Sequence, residues 1–259
     1  MKITNNAGKV LGGMLIALIT NVSAYGSIDN MGDAVNKAGQ QRMITQRILK
    51  DYALIGMNNI YGDPKKDLPE MIDLFDANLK NLKGFITDKP SLESLDEVSA
   101  LWEPIKKTLQ EAPAKDKAAK LQEDLEALLK AANKSTGLIS KSSGETSLEI
   151  VNTAGKQRML SQRMASLYML KVWDINDPKF EEKLTKAMEE FSKAQETLLA
   201  SELNSDEINA LLAKSGRAFM FFEMTAESDS KKYIPSLINQ SANKILKNMN
   251  TATELYSKK

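Results

Sequence analysis

Apolar side chains recur every three or four residues along most of the chain, which is the spacing of one face of an α-helix. A clear run follows Asp177-Pro178, where we expect the aspartate to cap a helix that has the proline at its first position. The apolar positions of this run, up to about Ser201, are Phe180, Leu184, Ala187, Met188, Phe191 and Leu198. No long stretch alternates apolar and polar residues as a half-buried β-strand would. The pattern therefore predicts an all-α fold.

Similar start signals divide each half of the chain into four helical segments. In the second half, the capping box TSLE is expected to open a helix that runs to about Trp173, and the segment NSDE and a proline open two more after the Asp177 helix. In the first half, an Asp-Pro pair and the segment SLDE mark equivalent starts. These signals lie at Thr146–Glu149, Asn204–Glu207, Pro235, Asp63-Pro64 and Ser94–Glu97.

One phrase occurs twice and shows that the chain is an internal duplication. NKAGQQRMITQRI begins at Asn36 and NTAGKQRMLSQRM begins at Asn152, an offset of 116 residues. The echo continues beyond the phrase, where the aligned pairs are Phe75 with Phe191, Leu82 with Leu198, DEVSAL at Asp96 with DEINAL at Asp206, and ANK at Ala132 with ANK at Ala242. We expect two repeats, residues 27–143 and 144–259, each folded as an up-down four-helix bundle.

The segment between the repeats, ISKSSGETS at Ile139–Ser147, contains glycine, serine and a new capping signal. This composition favours a turn over a continuous helix, although a continuous helix is the alternative. The segment alone leaves open whether the repeats fold back on each other or extend end to end.

The first 24 residues have the pattern of a secretory signal peptide. Lys2 and Lys9 precede or flank a short apolar core, and small residues end at Ala24, where we expect cleavage. An uncleaved membrane anchor is the alternative. The pattern predicts a periplasmic protein.

Composition narrows the classes of function further. The 259 residues include 35 Lys and Arg against 34 Asp and Glu, so the chain lacks the basic excess of a nucleic-acid-binding protein. Histidine and cysteine are both absent. Disulfides, thiol nucleophiles, Ser-His-Asp triads and the usual zinc, copper and haem ligands are therefore excluded. We expect no enzyme, no catalytic residue, no metal site and no cofactor.

The repeated phrase places Arg42 and Arg158 in an unusual setting. On a helix, the residues three, four and seven positions from each arginine are small or apolar apart from Gln46 and Gln162, and none is charged, so the guanidinium is predicted to be buried. Burial of an unpaired charge costs about several kcal/mol. Yet no Asp or Glu occurs from Ala34 to Lys50 or from Ile150 to Trp173. The compensating group must therefore be a carboxylate or carbonyl of another helix, or an anion from outside the protein.

The phrase resembles the signature of the PilJ-type sensor domain, the N-terminal domain of type IV pili methyl-accepting chemotaxis transducers. It is also similar to the motif in the periplasmic domain of NarX-type nitrate and nitrite sensor kinases. In that family, two four-helix bundles pair through their first helices, and one nitrate lies between the motif arginines. The resemblance implies that this chain carries both halves of such a dimer, as a pseudo-dimer within one polypeptide. The motif arginines correspond to Arg42 and Arg158, and the motif glycine corresponds to Gly39 and Gly155. Their neighbours in the phrase, Gln46, Gln162, Met43 and Met159, complete the set of candidate ligand-binding residues.

The expected function is therefore a periplasmic sensor module for a small oxyanion, with nitrate or nitrite favoured. The chain would pass its signal to a separate partner such as a membrane-bound receptor or histidine kinase. The alternative is a helical scaffold protein that binds no small ligand. Its motif helix would dock on a chemoreceptor or pilus-related partner, where the arginines would meet carboxylates of that partner.

Overall fold

The computed structural model describes residues 26–144, 147–175, 177, 179–226, 228 and 234–259, without the side chain of residue 147. Eight α-helices and no strands occur in these residues, so the prediction of an all-α fold is confirmed. The helices are α1 (Met31–Gly56), α2 (Pro64–Phe85), α3 (Lys89–Leu109), α4 (Lys115–Ser142), α5 (Ser147–Val172), α6 (Lys179–Leu199), α7 (Asp206–Ala226) and α8 (Pro235–Ser257). The expected signal peptide and the predicted capping threonine, Thr146, lie outside the described residues.

Helices α1–α4 form one four-helix bundle and helices α5–α8 form a second. The two bundles share an extensive interface, in which α1 packs along α5 and also contacts α8. Both first helices are therefore covered by their own bundle and by the other bundle. This explains why their sequences are apolar around most of the circumference.

Helices α1 and α5 run parallel and in register, so a pseudo-twofold axis relates the repeats. Near the middle, Gly39 lies opposite Gly155, and near the end, Gly56 lies against Trp173. Helix α4 ends at Ser142, and Gly144 follows with a left-handed φ of 71°. The repeats therefore fold back on each other.

Several predicted helix starts are confirmed, and two are corrected. Helix α2 begins at Pro64 as predicted, but Asp63 is left-handed (φ 51°) and its side chain forms no capping hydrogen bond. The predicted start at Ser94 is wrong, because α3 already begins at Lys89. Asp88 caps this helix and accepts a hydrogen bond from the backbone N–H of Ser91 at 3.0 Å.

This earlier start changes the alignment of the repeats. Helices α3 and α7 each have 21 residues, and their starts differ by 117. Phe75 packs on Trp102 with ring centroids 4.3 Å apart, and Phe191 packs on Phe219 at the same distance. The matches of DEVSAL with DEINAL and of ANK with ANK, both at an offset of 110, are therefore wrong. Residues of α3 and α4 correspond to residues 117 positions later.

We expect the contact between Gly56 and Trp173 to be a sensitive point of the interface. A Cβ atom added at Gly56 would lie 2.1 Å from a ring atom of Trp173, so Gly56→Ala should lower the free energy of unfolding by about 1–3 kcal/mol. Chemical denaturation measures this change. The matched control is Gly137→Ala in α4, where an added Cβ has nothing within 4 Å and should stabilise the helix by about 0.5–1 kcal/mol. Equal effects at the two positions would contradict this packing.

Candidate functional site

Arg42 and Arg158 lie at the centre of the interface between the repeats. Each is 1% exposed, and they are among the largest fully buried side chains of the protein. Arg42 is on α1 and Arg158 is at the equivalent position on α5. The in-register packing of these helices brings the two arginines to the same level.

The two guanidinium groups converge on the paired glycines. A Cβ atom added at Gly39 would lie 3.1 Å from Nη2 of Arg158 and 3.2 Å from Nη2 of Arg42. At Gly155 both distances would be 3.1 Å. The Nη2 atoms of both arginines therefore face the same small region, and the absence of a side chain at either glycine allows both to reach it.

Each arginine also reaches across to the other repeat. Nη2 of Arg42 donates to the backbone carbonyl of Asn152 at 3.1 Å, and Nη2 of Arg158 donates to that of Asn36 at the same distance. Asn36 and Asn152 are the first residues of the repeated phrase. The two contacts thus obey the pseudo-twofold symmetry.

Asparagine side chains hold the other ends of the guanidinium groups. Nη1 of Arg42 donates to Oδ1 of Asn133 at 2.9 Å, and Nη1 of Arg158 donates to Oδ1 of Asn250 at 3.3 Å and to Oδ1 of Asn36 at 2.8 Å. Asn133 and Asn250 are exposed and correspond to each other at the offset of 117. Each arginine is therefore one asparagine side chain away from solvent.

Every partner of the two arginines in the described part of the chain is neutral. Neither guanidinium forms an ion pair with a described carboxylate, and Nε of both arginines is buried without a hydrogen-bond partner. The sequence left open whether another helix would supply a carboxylate or a carbonyl to each arginine. In the described residues both arginines donate to backbone carbonyls and neither pairs with a carboxylate. Two like charges thus face each other with only dipoles to stabilise them.

The electrostatic cost of this arrangement appears in the pKa values. Burial lowers the pKa of Arg42 to about 10. Burial, together with the nearby charge of Arg42, lowers the pKa of Arg158 to about 9. Both groups remain charged at neutral pH. The site is therefore a compact, buried centre of positive charge, which is suited to an anion.

The remaining candidate residues form no hydrogen bond with the guanidinium groups in the described part of the chain. Gln46 and Gln162 lie one helical turn further along the interface, where Gln162 accepts a hydrogen bond from Nζ of Lys50 at 3.0 Å. Gln46 accepts from Ser166 at 3.4 Å. Met43 and Met159 are buried in the hydrophobic core. The structure thus brings four of the eight candidates together, namely both arginines and both glycines.

Lys50 shows how this interface accommodates a buried cation elsewhere. Its Nζ lies 3.5 Å from the carboxylate of Asp51, and both side chains are buried. Burial lowers the pKa of Lys50 and raises that of Asp51. The equivalent of Lys50 in the second repeat is Ser166. The interface around Lys50 is therefore asymmetric and includes the carboxylate of Asp51, whereas no described carboxylate pairs with Arg42 or Arg158.

The other arginines of the repeated phrase have conventional partners. Arg47 pairs with Asp67 through two hydrogen bonds, one of 2.6 Å, and Arg163 pairs with Glu126, with one hydrogen bond of 3.1 Å. Both arginines therefore form ion pairs with carboxylates of other helices. Sequence reasoning missed the four asparagines that hold Arg42 and Arg158. Asn36 and Asn152 recur in the phrase, but Asn133 and Asn250 match only at the corrected offset.

These features define a class of protein: two duplicated four-helix bundles joined through their first helices around a buried, paired cationic site. Comparison with known families identifies a particular one. The PilJ family, described as "Type IV pili methyl-accepting chemotaxis transducer N-term", matches residues 25–133 and 140–214, with one segment in each repeat. The chain belongs to this family of sensory domains. No curated protein and no solved structure matches it.

We expect a double-mutant cycle to reveal the repulsion between the two arginines. Arg42→Met and Arg158→Met each remove hydrogen bonds but also relieve the repulsion, and the double variant relieves it only once. In a low-chloride buffer without nitrate, the double variant should therefore lose more stability than the sum of the single variants, by about 0.5–3 kcal/mol. Urea denaturation measures the three differences. A coupling energy of zero or of the opposite sign would contradict a repulsive pair.

Proposed function

We propose that this protein is a periplasmic sensor module that binds one small oxyanion, with nitrate or nitrite favoured, between Arg42 and Arg158. The signal would pass to a separate membrane-bound receptor or histidine kinase. The observation that carries the proposal is the pair of buried guanidinium groups that face each other across two glycines and have only neutral partners in the described residues.

The chemistry of the site favours a small, flat oxyanion. A guanidinium group is planar and presents its N–H donors in a fork that matches an oxyanion. Two such groups that face the same region can each donate to one ligand, and the ligand's charge would offset their repulsion. The space beside the two glycines is small, because even one carbon atom added at either glycine would lie within 3.2 Å of both Nη2 atoms. Nitrate is planar, small and anionic, and the family resemblance also favours it.

The scaffold alternative is less well supported. It required the motif face of α1 or α5 to dock on another protein. In this structure each motif face is buried by the other repeat, so neither arginine is available to an external bundle.

The periplasmic location rests on the signal-peptide pattern of residues 1–24 and on the family, whose sensor domains are typically periplasmic. Within the described ranges, no helix combines the length and the apolar character needed to cross a membrane.

Calorimetric titration of residues 25–259 with nitrate tests the proposal. We expect one nitrate per chain. Because both arginines contact the same ligand, Arg42→Ala and Arg158→Ala should each abolish binding, whereas Lys80→Ala, which removes an exposed charge from α2, should leave it unchanged. If each arginine variant instead halved the stoichiometry, the single shared site would be wrong. No heat and no thermal stabilisation at about millimolar nitrate would reject nitrate as the ligand.

The pH dependence of binding provides an independent test. Nitrate binding requires both guanidinium groups to be protonated, and the lowered pKa values are about 9 for Arg158 and about 10 for Arg42. The affinity for nitrate should therefore be constant between about pH 6 and 8 and fall above about pH 9. Titrations at constant ionic strength measure this profile. A midpoint below about pH 8 would assign the binding to another group.

A further inference from the structure

Helices α7 and α8 form a shallow groove on the outer side of the second repeat, far in sequence from the motif phrase. We call it the α7–α8 groove. It has a volume of about 370 Å³. No acidic residue lines it. Its lining includes smaller residues together with four basic side chains and one aromatic side chain, which are Lys214, Arg217, Lys244, Lys247 and Phe221.

The charges of this groove are not neutralised within the described part of the protein. None of its four basic residues forms an ion pair there. Beside them, α7 exposes three large apolar side chains, Met220 (60%), Phe221 (45%) and Met224 (68%). Three large apolar side chains within one and a half turns of a helix form an exposed patch that is typical of interaction surfaces.

The first repeat provides an internal comparison for this surface. All five buried positions of α7 coincide with buried positions of α3 at the offset of 117, so the exposed positions can be compared one by one. Where α7 has Lys214, Arg217, Met220, Phe221 and Met224, α3 has Glu97, Ala100, Glu103, Pro104 and Lys107. The two bundles share a fold and a core, and folding therefore does not require the basic and apolar character of the second one.

The facing helices differ in the same direction. Positions Lys244 and Lys247 of α8 correspond to Ala127 and Lys130 of α4. Ser241, which lines the α7–α8 groove, corresponds to Asp124. At three of the compared positions the first repeat therefore has an acidic residue, where the second repeat has lysine, methionine or serine. The second repeat alone combines a cationic groove with exposed methionine and phenylalanine.

We propose that the α7–α8 groove is the docking site for an acidic amphipathic helix of the separate signalling partner. This inference rests on the part of the proposed function that assigns such a partner. Two helices that flank a groove can receive a third helix, whose apolar residues would contact Phe221, Met220 and Met224. Its carboxylates would pair with the lysines and the arginine on both sides.

The geometry favours a helix over a lipid surface. The residues Lys214, Arg217, Phe221 and Met224 are spaced three, four and three apart, so they form one stripe along α7. Ten residues of helix rise about 15 Å, which is about three turns of a docked helix. Phe221 and the four basic side chains line a concave groove, whereas a flat bilayer surface would be contacted by a convex apolar face.

A designed peptide tests the docking site. The probe is a synthetic helical peptide of about 18 residues with leucines on one face and glutamates beside them, compared with a scrambled peptide of the same composition. We expect the helical peptide to bind more tightly than the scrambled one. Binding should weaken about tenfold in the double variant Lys244→Glu/Lys247→Glu and also in Phe221→Ala.

The matched control carries the same charge change on the first repeat. Lys107→Glu/Lys130→Glu alters exposed lysines of α3 and α4 and should leave peptide binding within about twofold of the original value. Equal losses in the two double variants would overturn the proposal, because a general charge effect would then explain both. Equal binding of the helical and scrambled peptides, or no binding of either, would also overturn it.

Two further measurements distinguish the other occupants. Binding to phosphatidylglycerol vesicles but not to the peptide would make the groove a lipid-binding surface and overturn the proposal. Self-association of the protein that is lost in Lys244→Glu/Lys247→Glu would indicate a second copy instead. Nitrate titration of the same variant separates the two proposals, since we expect unchanged nitrate affinity there whether or not the peptide binds.

Discussion

The central constraint of this structure is the burial of two like charges at a single level of one helix pair. Arg42 and Arg158 are both 1% exposed, and within the described residues only side-chain amides and backbone carbonyls accept hydrogen bonds from them. Such a pair is tolerable only if the two helices hold it rigidly, because any closer approach increases the repulsion. The in-register packing of α1 on α5 supplies this rigidity, and the apolar surfaces around both helices stabilise the packing.

Duplication within one chain suits this constraint. In a dimer of separate subunits, repulsion between the arginines would oppose association each time the interface formed. Here the linker after α4 keeps the two bundles at a high effective concentration, so the interface can tolerate a site that disfavours its own assembly. Duplication also releases the repeats from strict symmetry. The first repeat has Lys50 where the second has a serine, and the basic surface of α7 and α8 occurs in the second repeat alone.

Much of the fold could be predicted from the sequence because local signals determine it. The helix starts at Pro64, Asp206 and Pro235 lie at or within two residues of a proline or a capping segment. The start of α3 was mispredicted because SLDE resembles a capping box, although Asp88 and Pro90 provide an earlier cap. That error shifted the alignment of the third and fourth helices by seven residues. Asn133 and Asn250, which hold the arginines, were therefore not recognised as equivalent.

The features of the candidate site that depend on a single helix could be predicted from the sequence. The phrase itself shows that Arg42 and Arg158 are buried without a carboxylate nearby, since a helical face is a local property. It cannot show that Gln46 and Gln162 lie one turn away from the guanidinium groups, in contact with Ser166 and Lys50, because these contacts depend on how two helices pack. Gly39 and Gly155 have a local effect on their helices and a second effect that depends on packing. Gly39 and Gly155 weaken a helix locally, and only the pairing of the repeats supplies the reason, because at each glycine an added carbon would meet both guanidinium groups.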